Sequence, residues 1–231
     1  MPGLEQGLRL GLAELALVLD ERQIGQLLDY LALIQKWTRV YNLTAVREPS
    51  EMLTHHLLDS LAVIRPLRAQ LAGLERGLVP QSDGAAEAEP AKVRLLDVGS
   101  GAGLPGVVIA ICCPELLVDC VDTVAKKAAF IQQVALTLRL SNLRGLHARV
   151  ENLTQQYQVI SSRAFASLAD FTSLSSAALA GQGVWLAMKG KHPVDEVAAL
   201  PVQIDVFHVE HVVVPGLQAE RCIVWMRKVA A

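Results

Sequence analysis

The sequence is short of charge. Of 231 residues only 19% are Asp, Glu, Lys or Arg, and 52% are hydrophobic; an ordinary soluble domain carries about 25% charged residues. That balance excludes a disordered chain, which would be apolar-poor and highly charged. Long uninterrupted apolar runs are also lacking. The most apolar N-terminal stretch, Leu4 to Leu19, is broken by Glu5, Arg9 and Glu14. No stretch reaches the roughly 18–20 uncharged residues of a membrane span, and the same interruptions argue against a secretory signal. The four cysteines (Cys112, Cys113, Cys120, Cys222) have no CxxC spacing. They read as reduced core residues of a cytoplasmic protein. Metal-ligand spacing is missing as well: His55 and His56 are neighbours, and His208 and His211 fall on opposite faces of a strand, so no metal is expected.

The net charge of −2 is unevenly distributed. Residues 1–69 hold 7 basic and 8 acidic side chains, residues 70–90 hold 1 and 4, and residues 91–231 hold 13 and 11. The short middle segment supplies the negative sign. A near-neutral remainder neither demands nor excludes an RNA partner.

What is present divides the chain into three parts. Residues 1–72 read as a helical cap. Leu8, Leu12, Leu15 and Leu19 recur at helical spacing, then Ile24, Leu27, Leu28, Leu31 and Ile34, with Asp20 as N-cap of the second helix. Ser50 is expected to cap a third helix that runs to Pro66. Residues 73–92, with Gly73, Gly77, Pro80, Gly84 and Pro90 among polar residues and alanines, read as a linker or insertion. Residues 93–231 alternate strands and helices. Strands are expected at Val93–Val98, Leu117–Val121, Leu143–Ala148, Val159–Ser161 and Gly183–Met188, and helices at Val107–Cys113, Lys126–Leu140 and Phe171–Leu179. Repeated β-α-β units imply an α/β fold with a mostly parallel sheet and helices on both faces. The last two strands, Gln203–Val214 and Cys222–Val229, are joined at Pro215-Gly216 and form an antiparallel terminal hairpin, for seven strands in all.

The sharpest local signal is DVGSGAGLPG, Asp97 to Gly106, between a strand and a helix. Glycines there let a ligand press against the backbone at a helix start. Two ligand classes fit. Gly101, Gly103 and Gly106 satisfy the dinucleotide pattern G-x-G-x-x-G. Gly99, Gly101 and Gly103 satisfy G-x-G-x-G, which resembles the loop of class I S-adenosylmethionine-dependent methyltransferases. Asp122, at the end of the second strand and 23 residues after Gly99, can accept both ribose hydroxyls in either class. Asp119, three residues earlier, is expected to point the other way. The terminal antiparallel hairpin favours the methyltransferase reading over a nucleotide-dependent oxidoreductase on a Rossmann sheet.

Four segments in order then carry a family resemblance: KWTRVYNLTAVREPSEMLTHHLLDS (Lys36–Ser60), DVGSGAGLPG, SRAFASL (Ser162–Leu168) and MKGK (Met188–Lys191). The chain resembles the small-subunit ribosomal RNA guanine-N7 methyltransferase G family, also called glucose-inhibited division protein B. The resemblance runs from about Asp20 to Lys228 and skips 73–92. It implies a Rossmann-like fold, S-adenosylmethionine as cofactor, and methyl transfer to N7 of one guanine in the 16S rRNA of the small ribosomal subunit. It implies cofactor contacts from Gly99, Leu104, Val150 with Glu151, and Arg163, to which the loop and strand logic adds Gly101 and Asp122. Plainer readings stand beside these: Leu104 as packing, Glu151 as an N-cap, Arg163 as a surface ion pair. His56, within HLLDS, reads either as helping to shape the site or as a helix-packing residue. Guanine N7 already has a free lone pair, so no general base is required and none is assigned. Arg163, Lys189, Lys191, Arg39 and Arg47 are the expected phosphate contacts, with Tyr41 for base stacking. The expected protein is a cytoplasmic monomer with no DNA or membrane partner. A ribosome-binding protein of the same fold that has lost catalysis is the remaining alternative, against which the intact glycine loop speaks.

Overall fold

The computed structural model describes residues 2–78 and 92–229. Seven strands form one sheet in the order β3-β2-β1-β4-β5-β7-β6. They are β1 Arg94–Val98, β2 Leu117–Asp122, β3 Leu143–His147, β4 Tyr157–Arg163, β5 Leu179–Lys189, β6 Ile204–His211 and β7 Cys222–Lys228. β1 to β5 pair in parallel, and β7 runs antiparallel to both β5 and β6. The predicted strands are all present, although β4 and β5 are longer than their apolar cores suggested. β4 ends on Arg163 instead of stopping short of it.

A parallel sheet is buried on both faces, and alternate residues of each strand serve opposite layers. Leu95, Val118, Val159, Val184 and Leu186 pack in the core that includes α6 (Gly106–Cys112), α7 (Ala125–Thr137) and the N-terminal helices. Leu96, Val98, Val121, Ile160 and Trp185 pack on the other side with α8 (Leu168–Ser175). On that side Trp185 donates its indole N–H to Ser175 at 2.9 Å.

The N-terminal helices are α1 (Pro2–Glu14) and α2 (Glu21–Tyr41), then α3 (Pro49–Met52), a π-helical stretch Leu53–Leu58, α4 (Asp59–Leu61) and α5 (Ile64–Leu78). Asp20 caps α2 as expected: its carboxylate accepts from Gln23 N–H at 2.7 Å, and Gln23 answers with its own side chain. Ile24, Leu27, Leu31 and Ile34 form the buried stripe of α2. Two expectations in this region fail. Ser50 is not a cap, because the helix begins at Pro49 after Glu48. Pro66 does not end a helix, since it lies in the first turn of α5, where its missing N–H would have had no partner anyway. The linker expected over 73–92 also starts too early: α5 continues to Leu78, and the rest of that segment up to residue 91 lies outside the described residues.

The cap is fastened through backbone carbonyls that helix ends leave unpaired. Gln23 donates to Ile111 O at 2.8 Å and Arg68 to Cys112 O at 2.7 Å, both at the end of α6. Gln26 donates to Leu138 O at 2.7 Å, just past α7. Fully buried Tyr30 donates its hydroxyl to Ala102 O, inside the glycine loop, at 2.6 Å. Replacing Tyr30 with Phe keeps the packing and removes that bond. A loss of about 1 kcal/mol is expected, read as a drop of roughly 2–4 °C in melting temperature; an unchanged melting temperature would show that the bond contributes nothing.

Candidate cofactor site

The glycine loop leaves β1 at the carboxyl end of the sheet, where β1 lies between β2 and β4. Open α/β sheets bind ligands at such a point. Gly99 N–H bonds to Val121 O at 2.9 Å, which ties the loop to the neighbouring strand. Gly99 and Gly101 have φ of +64° and +59°, the left-handed region that side chains avoid. The two differ in surroundings. A Cβ on Gly99 would collide with the ring of Phe165, whereas one on Gly101 would meet only the Gly99 carbonyl oxygen, at 4.0 Å.

Asp122 ends β2 with its side chain almost buried. Its carboxylate accepts from Gly101 N–H at 3.1 Å and from Val124 N–H at 2.9 Å, and Lys127 Nζ lies 3.4 Å away. The acid is therefore held in place by backbone, with acceptor capacity left on its oxygens. Asp119 points away, as the alternation required. It binds Arg144 through two bonds of 2.7 Å and accepts from Tyr157 at 2.8 Å.

A cavity of about 280 Å³ opens at this end, lined by Val98, Gly99, Val121, Asp122, Thr123, Val124, Lys127, Ala148, Val150, Glu151, Ala164 and Phe165. Two larger cavities, of about 350 and 390 Å³, lie against the N-terminal helices and away from the loop. Of the residues expected to hold cofactor, Gly99, Asp122, Val150 and Glu151 share the smaller cavity's wall. Gly101 stands behind, bonded to Asp122, and Leu104 is buried in the core between the sheet and the cap. Glu151 is not an N-cap: Arg149 precedes its short helical turn and pairs loosely with it at 3.7 Å. Arg163 is outside the lining. Its Nη1 donates to Asp59 at 2.7 Å and to the carbonyl of His55 at 2.9 Å, so it joins the cap in an ion pair that is buried on the acid's side.

Phe165 and Lys127 belong to the cavity and were not singled out from sequence. Phe165 stood inside SRAFASL, but only the fold sets its ring against Gly99. The expected RNA contacts scatter. Arg39, Lys191 and Tyr41 are exposed, and Lys126 sits 5.2 Å over the Tyr41 ring. Arg47 is bonded to Thr38 O and Asn42 Oδ1. Lys189 is committed elsewhere. It donates to Ala166 O at 3.1 Å and pairs with Glu196 at 2.8 Å, so an internal contact replaces the expected free cation. Among the described residues, no group of three or more His, Cys, Asp or Glu side chains is placed to hold a metal.

A model of the family rRNA small subunit methyltransferase G matches residues 23–72 and 76–224. The chain belongs to that family. Membership makes it an S-adenosylmethionine-dependent methyltransferase of small-subunit rRNA. The match also corrects the expected gap at 73–92: only three residues go unmatched between the two parts. A ribosomal RNA small subunit methyltransferase G of Albidiferax ferrireducens is 76% identical over 230 residues and covers all of both chains. One from Acidovorax sp. (strain JS42) is 66% identical over 226 residues, covering 98% of this chain and 96% of that one. Among solved structures, TrmN from Thermus thermophilus superposes with a TM-score of 0.50 at 21% identity, over 60% of this chain and 44% of that one. That likeness concerns the fold alone. The antiparallel β7 agrees with the methyltransferase fold and gives no support to the oxidoreductase alternative.

The residues present fit the family's cofactor. A buried acid suits a ribose diol, apolar walls from Val98, Val121, Val150 and Phe165 suit an adenine ring, and Gly99 has no Cβ to intrude. Gly99→Ala should therefore weaken binding of S-adenosylhomocysteine far more than Gly101→Ala, which adds only backbone strain of about 1 kcal/mol. Equal losses by titration calorimetry would contradict the role given to Phe165.

Two buried titratable groups near the site oppose one another. Burial, helped by Arg163, pushes the His56 imidazole down to about 4. Burial pushes the Asp97 carboxyl up to about 7, against the pull of Gly106 N–H and the Ser161 hydroxyl. A lowered His favours the fold above its unfolded pKa of about 6.5, and that contribution is lost as pH falls toward 4. A raised Asp does the reverse, its contribution being lost as pH rises from about 4 to 7. The two slopes cancel between roughly pH 4.5 and 6.5. Asp97→Asn should uncover the His56 slope, so that stability to urea rises with pH across that window; a flat profile in the variant would refute the assignment.

Proposed function

We propose that this chain transfers the methyl group of S-adenosylmethionine to N7 of a guanine in 16S rRNA, with the cofactor in the cavity at the ends of β1, β2 and β4. The observation that carries the placement is the Asp122 carboxylate, fixed by two backbone N–H groups beside the loop of Gly99 and Gly101. When bound, the cofactor supplies an electrophilic methyl group on a sulfonium. Asp122 would accept from the ribose hydroxyls, and the apolar walls that include Val150 and Phe165 would hold the base, with Glu151 in the same lining. Leu104 and Gly101 act from behind, by holding the loop's shape.

N7 of guanine needs no deprotonation before it attacks, so the protein's task is alignment in a near-attack geometry. No cysteine takes part. All four are free and buried, and burial pushes the Cys113 thiol up to about 11 and raises the other three, which leaves them un-ionised and unreactive. On the RNA side Arg39, Arg47, Lys191 and Tyr41 remain as surface contacts. The protein is read as a cytoplasmic monomer with no membrane or DNA partner; among the described residues, no helix is long and apolar enough to cross a membrane. Residues 1–72 serve as the cap and 93–231 as the catalytic part, joined through a segment that begins within α5.

The test is methyl incorporation from labelled S-adenosylmethionine into small subunits and into naked 16S rRNA, with the product mapped by cleavage at N7-methylguanine. A single modified guanine is expected. Binding without incorporation would favour the catalytically silent alternative. Asp122→Asn should weaken S-adenosylhomocysteine binding by about ten- to hundredfold, the range for a hydrogen bond to a charged group, and unchanged affinity would remove Asp122 from the site.

A further inference from the structure

Asp59 is a carboxylate with almost no solvent exposure, at the start of α4 directly after the π-helical stretch of the cap. π-Helical turns inside helices are frequent at functional sites. Both oxygens of Asp59 are taken by cations from the far side of the chain. Oδ2 accepts from Arg163 Nη1 at 2.7 Å, and Oδ1 accepts from Arg221 Nε at 2.8 Å. Arg221 spends its Nη1 on the carbonyl of Glu220. Two guanidiniums thus share one acid, and the cluster holds one positive charge more than it balances.

The way Arg163 is held matters more than the charge. Both of its hydrogen bonds, to Asp59 and to the His55 carbonyl, use Nη1. Nε and Nη2 have no partner among the described residues. Those two N–H groups form the parallel edge that accepts a carboxylate side-on. The same edge binds carboxylates elsewhere in this protein: Arg144 holds both oxygens of Asp119 through Nε and Nη2, while Arg9 and Arg227 each bring Nε and Nη2 to one oxygen, of Glu5 and Asp205. On Arg163 it is left open, one residue before Ala164 and two before Phe165, both of which line the cavity.

We propose that Asp59 is a positioning residue of the cofactor site: together with the His55 carbonyl it clamps Nη1 of Arg163, so that the open Nε–Nη2 edge is presented to the carboxylate at the methionine end of the cofactor. The proposal rests on the placement of the cofactor given above. It assigns the cap a part in cofactor binding although no cap residue lines the cavity. A long arginine held at one end loses less freedom when it takes a ligand at the other.

The test compares two nucleosides by titration calorimetry. S-Adenosylhomocysteine carries the carboxylate; 5′-methylthioadenosine lacks it. Asp59→Asn, of equal size and without the charge, should weaken the first by about tenfold or more and leave the second within about twofold. Arg163→Lys, which keeps the charge and loses the flat edge, should show the same split. Arg221→Gln breaks the other bond to Asp59 and should leave both affinities nearly unchanged. Equal weakening of both nucleosides by Asp59→Asn, or a loss in Arg221→Gln as large as in Asp59→Asn, would make Asp59 only a fastener of the cap and overturn the proposal. Unchanged nucleoside affinities with a raised KM for small subunits would assign the open edge to an RNA phosphate and overturn it too. Wild-type protein that bound neither nucleoside would overturn the cofactor placement itself, and this inference with it.

Discussion

A parallel sheet has two faces to cover, and this constraint organises the molecule. α8 and its neighbours cover one face of the sheet. On the other, α6 and α7 pack within one continuous core with the cap, from Leu8 to Ile64 and on to Leu95, Val118 and Val159. The low charged fraction follows from this, because a sheet buried on both faces under a helical layer consumes apolar residues and offers little surface for ionised ones. The cap also answers a polar need. Gln23, Gln26 and Arg68 take up carbonyls that the ends of α6 and α7 would otherwise leave unpaired.

The same contacts link stability to function. Tyr30, in the middle of α2, reaches Ala102 in the glycine loop, and Asp59 reaches Arg163 at the end of β4. Cap and sheet therefore meet at the glycine loop and at the end of β4. Lys189 makes a comparable tie on the opposite face. Held by Glu196, it grips the carbonyl of Ala166, and Glu196 also accepts from Leu168 N–H. The segment that carries Phe165 is thus secured after its ring as well as before it.

The glycine loop and Asp122 could be read from sequence because their signals are local: glycines between a strand and a helix, and an acid at the next strand's end. The strands were visible as apolar runs and the α2 cap as Asp20 ahead of the apolar stripe. What failed was non-local or positional. Pro66 has one meaning at the end of a helix and another in its first turn, and only the break after Leu61 tells them apart. Gly73 and Gly77 suggested a linker, yet α5 runs through both.

The sequence by itself determined the element order, the glycine loop and an acid at the end of the next strand, since each signal is carried by residues within a few positions of each other. Four ordered motifs were enough to place the chain in its family. Tertiary structure decided which side chains converge. Arg163 and Asp59 are 104 residues apart, and Gly99 meets Phe165 only because β1 and β4 are neighbours. It also decided which basic residues are bound internally and which stay exposed. No periodicity records such pairings, because they depend on strand order and on how the cap is seated, and neither is written in local spacing.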